Sequence, residues 1–305
     1  IPTKKQLHGW WAGKRECTAE RMLINPYTGC SVGCWFCYAL ALPGTFQLFR
    51  RQRIITVAHD FDQCIARQLD GLNFATCGYL SPVTDPFQPI DKIYQLSTKI
   101  IRVFVERNLP IEFITKSIIP EEVISIIQPQ IHSFGQVTIL TPHETIRRKL
   151  APGGAAVPEL FNNLLRLSRA GKFAVCRIDP ILPFLTDKKD DLKCIISRAR
   201  DSGVKHIIAS VLDIPLSISR DVFTVIGKLL GPEIKNKYHD LYSERIGYLN
   251  AAIGYRREIF DFLRRECDRA GLSFALCMEY ERKFGPDKKI CYQGLNREYM
   301  NVINC

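Results

Sequence analysis

Three cysteines stand close together near the start of the chain, and their type and spacing suit metal chemistry. Cys30, Cys34 and Cys37 follow the pattern Cys-x3-Cys-x2-Cys shortly after an apolar run. Soft thiolate ligands suit iron–sulfur clusters, and three of them on one loop can hold three corners of a cubic [4Fe–4S] cluster. The fourth iron then has no protein ligand and can bind a small molecule. The triplet therefore predicts an iron–sulfur site with one open position.

A structural zinc site is the main alternative for this triplet. Such a site normally has four ligands arranged in two pairs. The sequence places no fourth cysteine or histidine nearby, because the closest histidines, His8 and His59, belong to unrelated segments. The spacing thus favours iron–sulfur over zinc.

The elements that must position this loop alternate in type along the chain. Six short apolar runs, rich in β-branched residues, indicate strands buried on both faces. These predicted strands are Met22–Asn25, Phe74–Leu80, Ile111–Lys116, Gln136–Thr141, Phe173–Asp179 and His206–Val211. The predicted helices between them are Asp60–Leu69, Ile90–Arg107, Pro120–Ile127, Pro158–Ala170 and Lys188–Asp201. Such alternation forms parallel sheets with right-handed crossovers, so the predicted fold class is α/β, a partial (β/α)6 barrel.

The pattern changes after Val211. Two further helices, Asp221–Leu230 and Arg256–Ala270, precede a short strand at Ser273–Tyr280 and an irregular tail. The predicted parts are an N-terminal extension over residues 1–21, the partial barrel over residues 22–212 and a helical, cysteine-containing C-terminal extension over residues 213–305.

The cysteine triplet, with Phe36 before its last cysteine, resembles the hallmark of the radical S-adenosylmethionine (SAM) superfamily. Further stretches come in the order and spacing of its spore photoproduct lyase-like branch, whose members are often labelled DNA repair photolyases. These stretches are Val83–Ile101, Phe113–Ser117, Gln136–Pro152 and Cys176–Pro183. The resemblance covers residues 22–212. It is specific for the branch and not for one reaction within it.

This resemblance implies a radical SAM enzyme. The open iron would bind SAM, and reduction of the cluster would cleave SAM to methionine and a 5′-deoxyadenosyl radical that abstracts hydrogen from a substrate. The substrate expected for this branch is a nucleic acid base, and a flavodoxin-type or ferredoxin-type partner would supply the electron. Two alternatives stay open: a radical SAM enzyme that modifies a peptide or small metabolite, and a non-catalytic iron–sulfur binding protein.

The resemblance also assigns residues to the SAM site, and their positions make physical sense. Catalytic barrels place functional groups at the carboxyl ends of strands, and a cation there complements a carboxylate. The assigned residues are Phe36 against the adenine, Tyr38 in the same loop, Thr84 and Asp85 for the amino group, Lys116 for the carboxylate, Thr138, and Arg177 for SAM or substrate. Each has a structural alternative: packing, a turn, a solvated lysine, a plain strand residue, or an Arg177–Asp179 salt bridge.

One position departs from the branch. In the lyase that repairs spore photoproduct, a cysteine before the Thr/Ser-Asp-Pro element returns a hydrogen atom to the product radical, whereas Val83 precedes that element here. The nearest thiol, Cys77, is the predicted hydrogen-atom donor. In a regular strand its side chain faces away from Thr76 and Gly78. The departure weakens the expectation of direct thymine-dimer reversal.

Cysteines near the end of the chain form a second candidate metal site. Cys277, Cys291 and Cys305 lie in segments predicted to be irregular, where a metal cluster would give the tail a reason to fold. The alternative is that they are small buried hydrophobic residues. The prediction is an auxiliary iron–sulfur cluster.

Composition adds a broad expectation about partners and compartment. The 305 residues carry a net charge of +11, and Lys and Arg cluster at Arg50–Arg53, Arg147–Lys149 and Arg256–Arg257, among other places. Such clusters attract phosphate backbones, although charged surfaces are often only solvated. No apolar run is long enough for a transmembrane helix and no secretory signal is visible, so the predicted location is cytoplasmic, without membrane contact.

Overall fold

The computed structural model describes residues 21–73, 75–246 and 248–277. Its strands are β1 (Arg21–Ile24), β2 (Tyr27–Thr28), β3 (Thr56–Val57), β4 (Cys77–Leu80), β5 (Ile111–Thr115), β6 (Phe134–Thr138), β7 (Ala174–Ile181), β8 (His206–Val211), β9 (Glu244–Ile246), β10 (Tyr248–Asn250) and β11 (Ser273–Leu276). Its helices are α1 (Thr45–Gln52), α2 (Phe61–Asp70), α3 (Asp91–Tyr94), α4 (Leu96–Glu106), α5 (Glu121–Ile127), α6 (Glu144–Leu150), α7 (Val157–Arg169), α8 (Lys189–Asp201), α9 (Ser219–Leu230), α10 (Pro232–Leu241) and α11 (Ile253–Arg269).

Seven strands form one parallel sheet in the order β1-β4-β5-β6-β7-β8-β11. Because the strands are parallel, their carboxyl ends all meet at one edge, which is where the loops converge. The register places Thr138 of β6 opposite Arg177 of β7. Two of the predicted site residues are therefore direct neighbours.

The predicted α/β class and parallel sheet are confirmed, with one correction to the strand count. All six expected strands are present, with ends shifted by a few residues, and a seventh strand, β11, joins the sheet beside β8. This strand belongs to the segment that the sequence predicts as an extension. The sequence pattern indicates only six units because a long insertion between β8 and α11 separates the seventh helix–strand unit, α11 and β11, from the other six. The division at residue 212 stays a prediction, although the sheet crosses it.

Helices cover the outer face of the sheet, and close packing explains two glycines in strands. A Cβ atom at Gly78 would lie 2.8 Å from Phe104 of α4, and one at Gly135 would lie 2.7 Å from Leu167 of α7. Alternation along β4 then turns Cys77 and Tyr79 to the inner face. The sequence-based inference that Cys77 faces away from Gly78 is confirmed.

The predicted helix over residues 90–107 is divided in two. Gln95 has φ 51° and ends α3, so α4 begins anew at Leu96. The carboxylate of Asp91 stabilises the break, because it accepts hydrogen bonds from the backbone N–H of Ser97 at 2.9 Å and from the hydroxyl of Tyr27 at 2.5 Å. This break therefore fastens α3 and α4 to β2, the strand that leads into the cysteine loop.

Candidate active site

A cavity of about 400 Å³ opens at the carboxyl ends of the parallel strands. This volume lies within the range of about 300–1,000 Å³ that small-molecule sites occupy. Its lining includes the three cysteines of the triplet and all seven residues predicted for the SAM site. These predicted residues are Phe36, Tyr38, Thr84, Asp85, Lys116, Thr138 and Arg177.

The cysteine loop follows β2 and lies at the mouth of the cavity. The Cys30, Cys34 and Cys37 thiols all line it, and the backbone N–H of Cys37 donates to the carbonyl of Cys34 at 3.3 Å. Burial raises the pKa of the Cys34 thiol to about 12 and also raises that of Cys37. Buried thiolates are stable only beside compensating positive charge, which bound iron would supply. The donor set therefore fits a metal cluster.

Among the described residues, no three Cys, His, Asp or Glu side chains converge on a point that suits a single metal ion. A cubic cluster spaces its thiolate ligands farther apart, since each thiolate binds a different iron.

A buried glutamine holds this loop in place. The backbone N–H of Ser31 donates to Oε1 of Gln88 at 2.9 Å, and Nε2 of Gln88 donates to the carbonyl of Gly29 at 3.2 Å. Gln88 is fully buried, and Gly29 needs its freedom because its φ is 98°. The segment after β4 thus fixes the start of the cysteine loop on both sides of Cys30.

The Asp85 carboxylate is occupied by protein donors. It accepts hydrogen bonds from the backbone N–H groups of Lys116 at 2.7 Å and Phe87 at 3.0 Å, and from the hydroxyl of Thr115 at 3.0 Å. Burial raises the pKa of Asp85, and these donors oppose that effect. Asp85 therefore joins the ends of β4 and β5 and positions Lys116. Contact of this carboxylate with SAM stays a prediction.

Two hydroxyl groups in the cavity have no hydrogen-bond partner. Ser81 Oγ and Thr84 Oγ1 are both buried, line the cavity and lack a partner within the described part of the chain. A buried hydroxyl without a partner costs about 1–3 kcal/mol. A polar ligand in the cavity would remove this cost, so these groups fit the binding of SAM.

Lys116, Thr138 and Phe36 contribute three different surfaces to the cavity. Lys116 extends from the end of β5, and its positive charge opposes the rise in the pKa of the Cys34 and Cys37 thiols. Thr138 is buried at the end of β6. Phe36 is buried and packs edge-to-face on Trp35, with ring centroids 5.2 Å apart. A cation, a hydroxyl and an aromatic face suit the carboxylate, polar groups and adenine of SAM.

Tyr38 lies at the rim of the cavity. Its side chain is partly exposed, and its hydroxyl donates to the carbonyl of Pro82 at 2.9 Å. This bond ties the cysteine loop to the segment after β4.

Arg177 is buried in the centre of a polar network. Its guanidinium donates to Gln136 Oε1 at 2.9 Å, contacts the carboxylate of Asp179 and lies 2.9 Å from the sulfur of Cys277. The salt-bridge alternative for Arg177 and Asp179 is therefore present in the fold. Arg177 also lines the cavity, so a direct role in SAM or substrate binding stays a prediction.

The cysteine expected to donate hydrogen is not among the residues that line this cavity. Cys77 is the first residue of β4, so it lies at the amino end of the sheet, and the neighbouring charges are Glu112 and Arg21. By contrast, Cys277 follows β11 and lines the cavity. Its predicted partners in an auxiliary cluster, Cys291 and Cys305, lie outside the described residues.

Sequence reasoning missed several residues of the site. Gln88 lies inside a stretch that carried the family resemblance, and that stretch was the available signal. Ser81 and Asp213 also line the cavity. Neither has a local pattern that distinguishes it from an ordinary turn residue, because its role depends on strands distant in sequence.

Two of the basic clusters are partly structural. Arg147 is buried and donates to Glu144, while Arg256 is buried and donates to Glu244 at 2.8 Å. These two side chains are therefore not available to a polyanion. Within the part of the chain that the structure covers, no helix has both the length and the apolar character needed to cross a bilayer.

No family model matches the chain. A curated protein from Pseudomonas phage M6, a radical SAM Nalpha-GlyT isomerase, is 27% identical over 317 aligned positions. The match includes the whole of this chain but only 65% of the length of the phage protein.

Solved structures show the same fold. A spore photoproduct lyase mutant with bound AdoMet and dinucleoside spore photoproduct aligns with a TM-score of 0.65 at 14% identity, over 83% of this chain and 75% of that one. Streptococcus suis SuiB bound to S-adenosylmethionine aligns with a TM-score of 0.54 at 11% identity, over 83% of this chain and 49% of that one.

The parallel sheet with a cysteine loop at its carboxyl edge thus has the fold of spore photoproduct lyase and SuiB. The chain is therefore similar over its whole length to the radical SAM isomerase of the phage, and it shares its fold with spore photoproduct lyase.

Proposed function

We propose that the protein is a radical SAM enzyme whose cavity holds a [4Fe–4S] cluster and SAM, and that its substrate is a nucleic acid base. One observation carries the first part: three cysteines, one strand-end lysine and two buried hydroxyls that lack a partner among the described residues all line a single cavity. When bound and reduced, the cluster with SAM supplies a 5′-deoxyadenosyl radical that can abstract hydrogen from a substrate.

The protein's own residues would bind and orient the cluster and SAM, and they would exclude water. Cys30, Cys34 and Cys37 would hold three irons. Thr84 and Lys116 would meet the polar groups of SAM, because both line the cavity within reach of the same loop. The hydrogen bonds of Asp85 would keep the Lys116 backbone fixed while ligand binds. Phe36 would cover the adenine and keep water from the reacting groups.

The nucleic acid part of the proposal is supported by charge and by fold relatives. The chain has a net charge of +11, and the exposed Arg53 lines the cavity opening. Fold relatives of the spore photoproduct lyase type have been solved with a dinucleoside photoproduct bound. A base inside a duplex must be unpaired before it reaches an enclosed radical site. Single-stranded or flipped-out bases are therefore the proposed substrates.

Anaerobic reconstitution with iron and sulfide, followed by reduction in the presence of SAM, tests the proposed activity. The wild type should gain a brown chromophore and release 5′-deoxyadenosine, and single-stranded DNA or RNA should raise the rate in a salt-dependent manner. Cys34→Ala should lose both the chromophore and SAM cleavage. Cys194→Ala, which changes an exposed cysteine on α8, should retain them. Unchanged SAM cleavage in Cys34→Ala would overturn the proposal.

A substrate that carries an amino acid group is the second candidate. The phage relative is named a Nalpha-GlyT isomerase, and the Gly in that name motivates this candidate. In the reconstituted system, stimulation of 5′-deoxyadenosine release by peptides, with no response to nucleic acid, would select this candidate. A flavodoxin-type or ferredoxin-type protein would supply the electron in either case.

An auxiliary cluster at Cys277, Cys291 and Cys305 also remains a proposal. The position of Cys277 in the lining of the cavity supports this proposal. Cys291→Ala should lower the iron content below that of the wild type if the second cluster exists. Equal iron content in the two proteins would refute it.

A further inference from the structure

Three carboxylates line the cavity within the described residues: Asp85, Asp179 and Asp213. Asp85 belongs to the β4–β5 side, where SAM is proposed to bind. Asp179 lies near the carboxyl end of β7 and Asp213 follows β8, towards the other edge of the sheet. The surroundings of Asp179 and Asp213 differ, and this difference indicates which chemical group of the substrate could bind there.

Asp179 is neutralised by the protein. Its Oδ2 accepts from Arg177 Nε at 3.1 Å and also contacts Nη2, while its Oδ1 accepts from the hydroxyl of Ser210. The charge of Arg177 lowers the pKa of Asp179 despite burial. This carboxylate therefore needs no further partner.

Asp213 has no ion-pair partner among the described residues. Its Oδ1 accepts one hydrogen bond, from Asn250 Nδ2 at 2.6 Å, and its Oδ2 accepts none from the residues that the structure describes. Arg256, whose positive charge opposes the rise in the pKa of Asp213, is itself held by Glu244 at 2.8 Å and by the carbonyl of Ala251 at 2.8 Å. Burial raises the pKa of Asp213 to about 6, and the charge of Asp179 adds to this effect.

The neighbouring strand adds an aromatic ring at the same end. Tyr248 and Asn250 are two residues apart on β10, so their side chains share a face, and Tyr248 also lines the cavity. Backbone hydrogen bonds between Ile214 and Leu249, 2.9 Å in both directions, hold β10 beside Asp213. A carboxylate with a free oxygen and an aromatic ring together suit a cationic group.

We propose that the substrate group entering this end of the cavity carries a protonated amine, and that Asp213 binds it. The inference rests on the proposed function, because it assumes that the substrate occupies the same cavity as SAM. An ammonium group would bind the Oδ2 atom of Asp213 and form the ion pair that the described residues do not supply there. A phosphate or carboxylate at this position would instead be repelled.

Two pairs of probes that differ in one amine test this proposal by calorimetry, with reconstituted, SAM-loaded, unreduced protein. The first pair is 5-aminomethyl-2′-deoxyuridine and 5-hydroxymethyl-2′-deoxyuridine. The second pair is glycylglycine amide and its N-acetyl form. The amine should bind the wild type about tenfold or more tightly than its neutral counterpart in at least one pair, since a hydrogen bond between two charged groups is stronger than one between neutral groups.

Asp213→Asn should remove this amine preference and leave the affinity for the neutral probe unchanged. Asp221→Asn, which removes an exposed carboxylate paired with Arg50, should retain the preference. The wild-type comparison alone remains decisive where the Asp213→Asn variant does not fold. Absence of an amine preference in both pairs, including absence of binding, overturns the proposal, as does a preference that survives in Asp213→Asn. Release of 5′-deoxyadenosine in the same preparation without probes reports separately on the proposed function.

Discussion

Gly153 lies directly against the backbone of Ser31 in the cysteine loop. Its N–H donates to the carbonyl of Val32 at 3.0 Å, and a Cβ atom at Gly153 would lie 2.1 Å from the carbonyl oxygen of Ser31. The segment after α6 therefore supports a loop about 120 residues earlier in the chain. The contact gives Gly153 a structural role.

Replacing this glycine should displace the cysteine loop. Gly153→Ala forces backbone atoms apart, at a cost of about 1–3 kcal/mol typical of overpacking. We expect a lower melting temperature and a lower iron content after reconstitution. Gly254→Ala is the matched control, because a Cβ at Gly254 meets nothing within 4 Å. Equal iron content in Gly153→Ala and wild type would contradict the supporting role.

Removal of the Thr84 hydroxyl should have opposite effects on the stability of the SAM-free protein and on the affinity for SAM. Thr84→Val removes a buried hydroxyl that has no partner, so the SAM-free protein should gain on the order of 1 kcal/mol in its free energy of unfolding. Loss of the same hydroxyl should weaken SAM binding about tenfold by equilibrium dialysis.

Thr186→Val provides the opposite control for Thr84. The buried Thr186 hydroxyl accepts from the backbone N–H of Leu182 at 2.8 Å, so this variant should lose stability and keep its SAM affinity. A Thr84→Val protein that is destabilised and binds SAM normally would exclude the ligand role.

Lys116 should contribute charge to SAM binding. Lys116→Met keeps the aliphatic stem but removes the ammonium group that faces the cavity, and SAM should bind about 10- to 100-fold more weakly. Lys172→Met changes another lysine with a buried side chain, whose Nζ donates to the carbonyl of Gln130 at 2.8 Å outside the cavity. That control should lower stability without changing SAM affinity. Similar SAM affinities for Lys116→Met and wild type would argue against the assignment.

Glu144 should make stability depend on pH. Hydrogen bonds from Arg147 lower its pKa to about 2, and the backbone N–H of Val157 adds to the effect. A depressed folded-state pKa stabilises the fold above the unfolded pKa of 4.5, and that contribution disappears as pH falls towards 2. Glu144→Gln should therefore be less stable than wild type at pH 7, by on the order of 1 kcal/mol, and the difference should shrink below pH 4.5.

Urea unfolding at pH 7, 4.5 and 3 measures the Glu144 effect. Glu233→Gln is the control, because Glu233 is exposed and lies 3.4 Å from Lys237. A gap between Glu144→Gln and wild type that stays constant from pH 7 to pH 3 would rule out this origin.

Local patterns were sufficient to predict the sheet and the cysteine loop. Buried parallel strands are nearly continuous apolar runs, and the triplet spans eight residues, so both signals are contained within single segments. The break at Gln95 was missed because its cause, the bond between Asp91 and Tyr27, connects two distant segments. Likewise β11 was placed outside the barrel because an insertion of some 60 residues separates it from β8.

Side chains that gain meaning only from distant neighbours could not be predicted. Strand alternation correctly predicts the face of the sheet on which Cys77 lies. Its position along the strand, at the amino end, depends on where β4 begins. Asp213 has an ordinary turn sequence around it, and its exceptional position arises from Asn250 and Arg256 on later elements. Buried hydroxyl groups that lack a hydrogen-bond partner can be recognised only when the positions of all potential donors and acceptors around them are known.

The hydrogen-bonded row around Arg177 extends across the inner face of the sheet from one outer strand towards the other. Its members are Arg21, Glu112, Gln136, Arg177, Asp179 and Ser210. Each side chain satisfies the next, so exchanging any one of them leaves a neighbour with an unmatched charge or dipole. Redesign of this barrel for another substrate should accordingly replace the row as a block, and variants that accumulate one change at a time should pass through poorly folding intermediates.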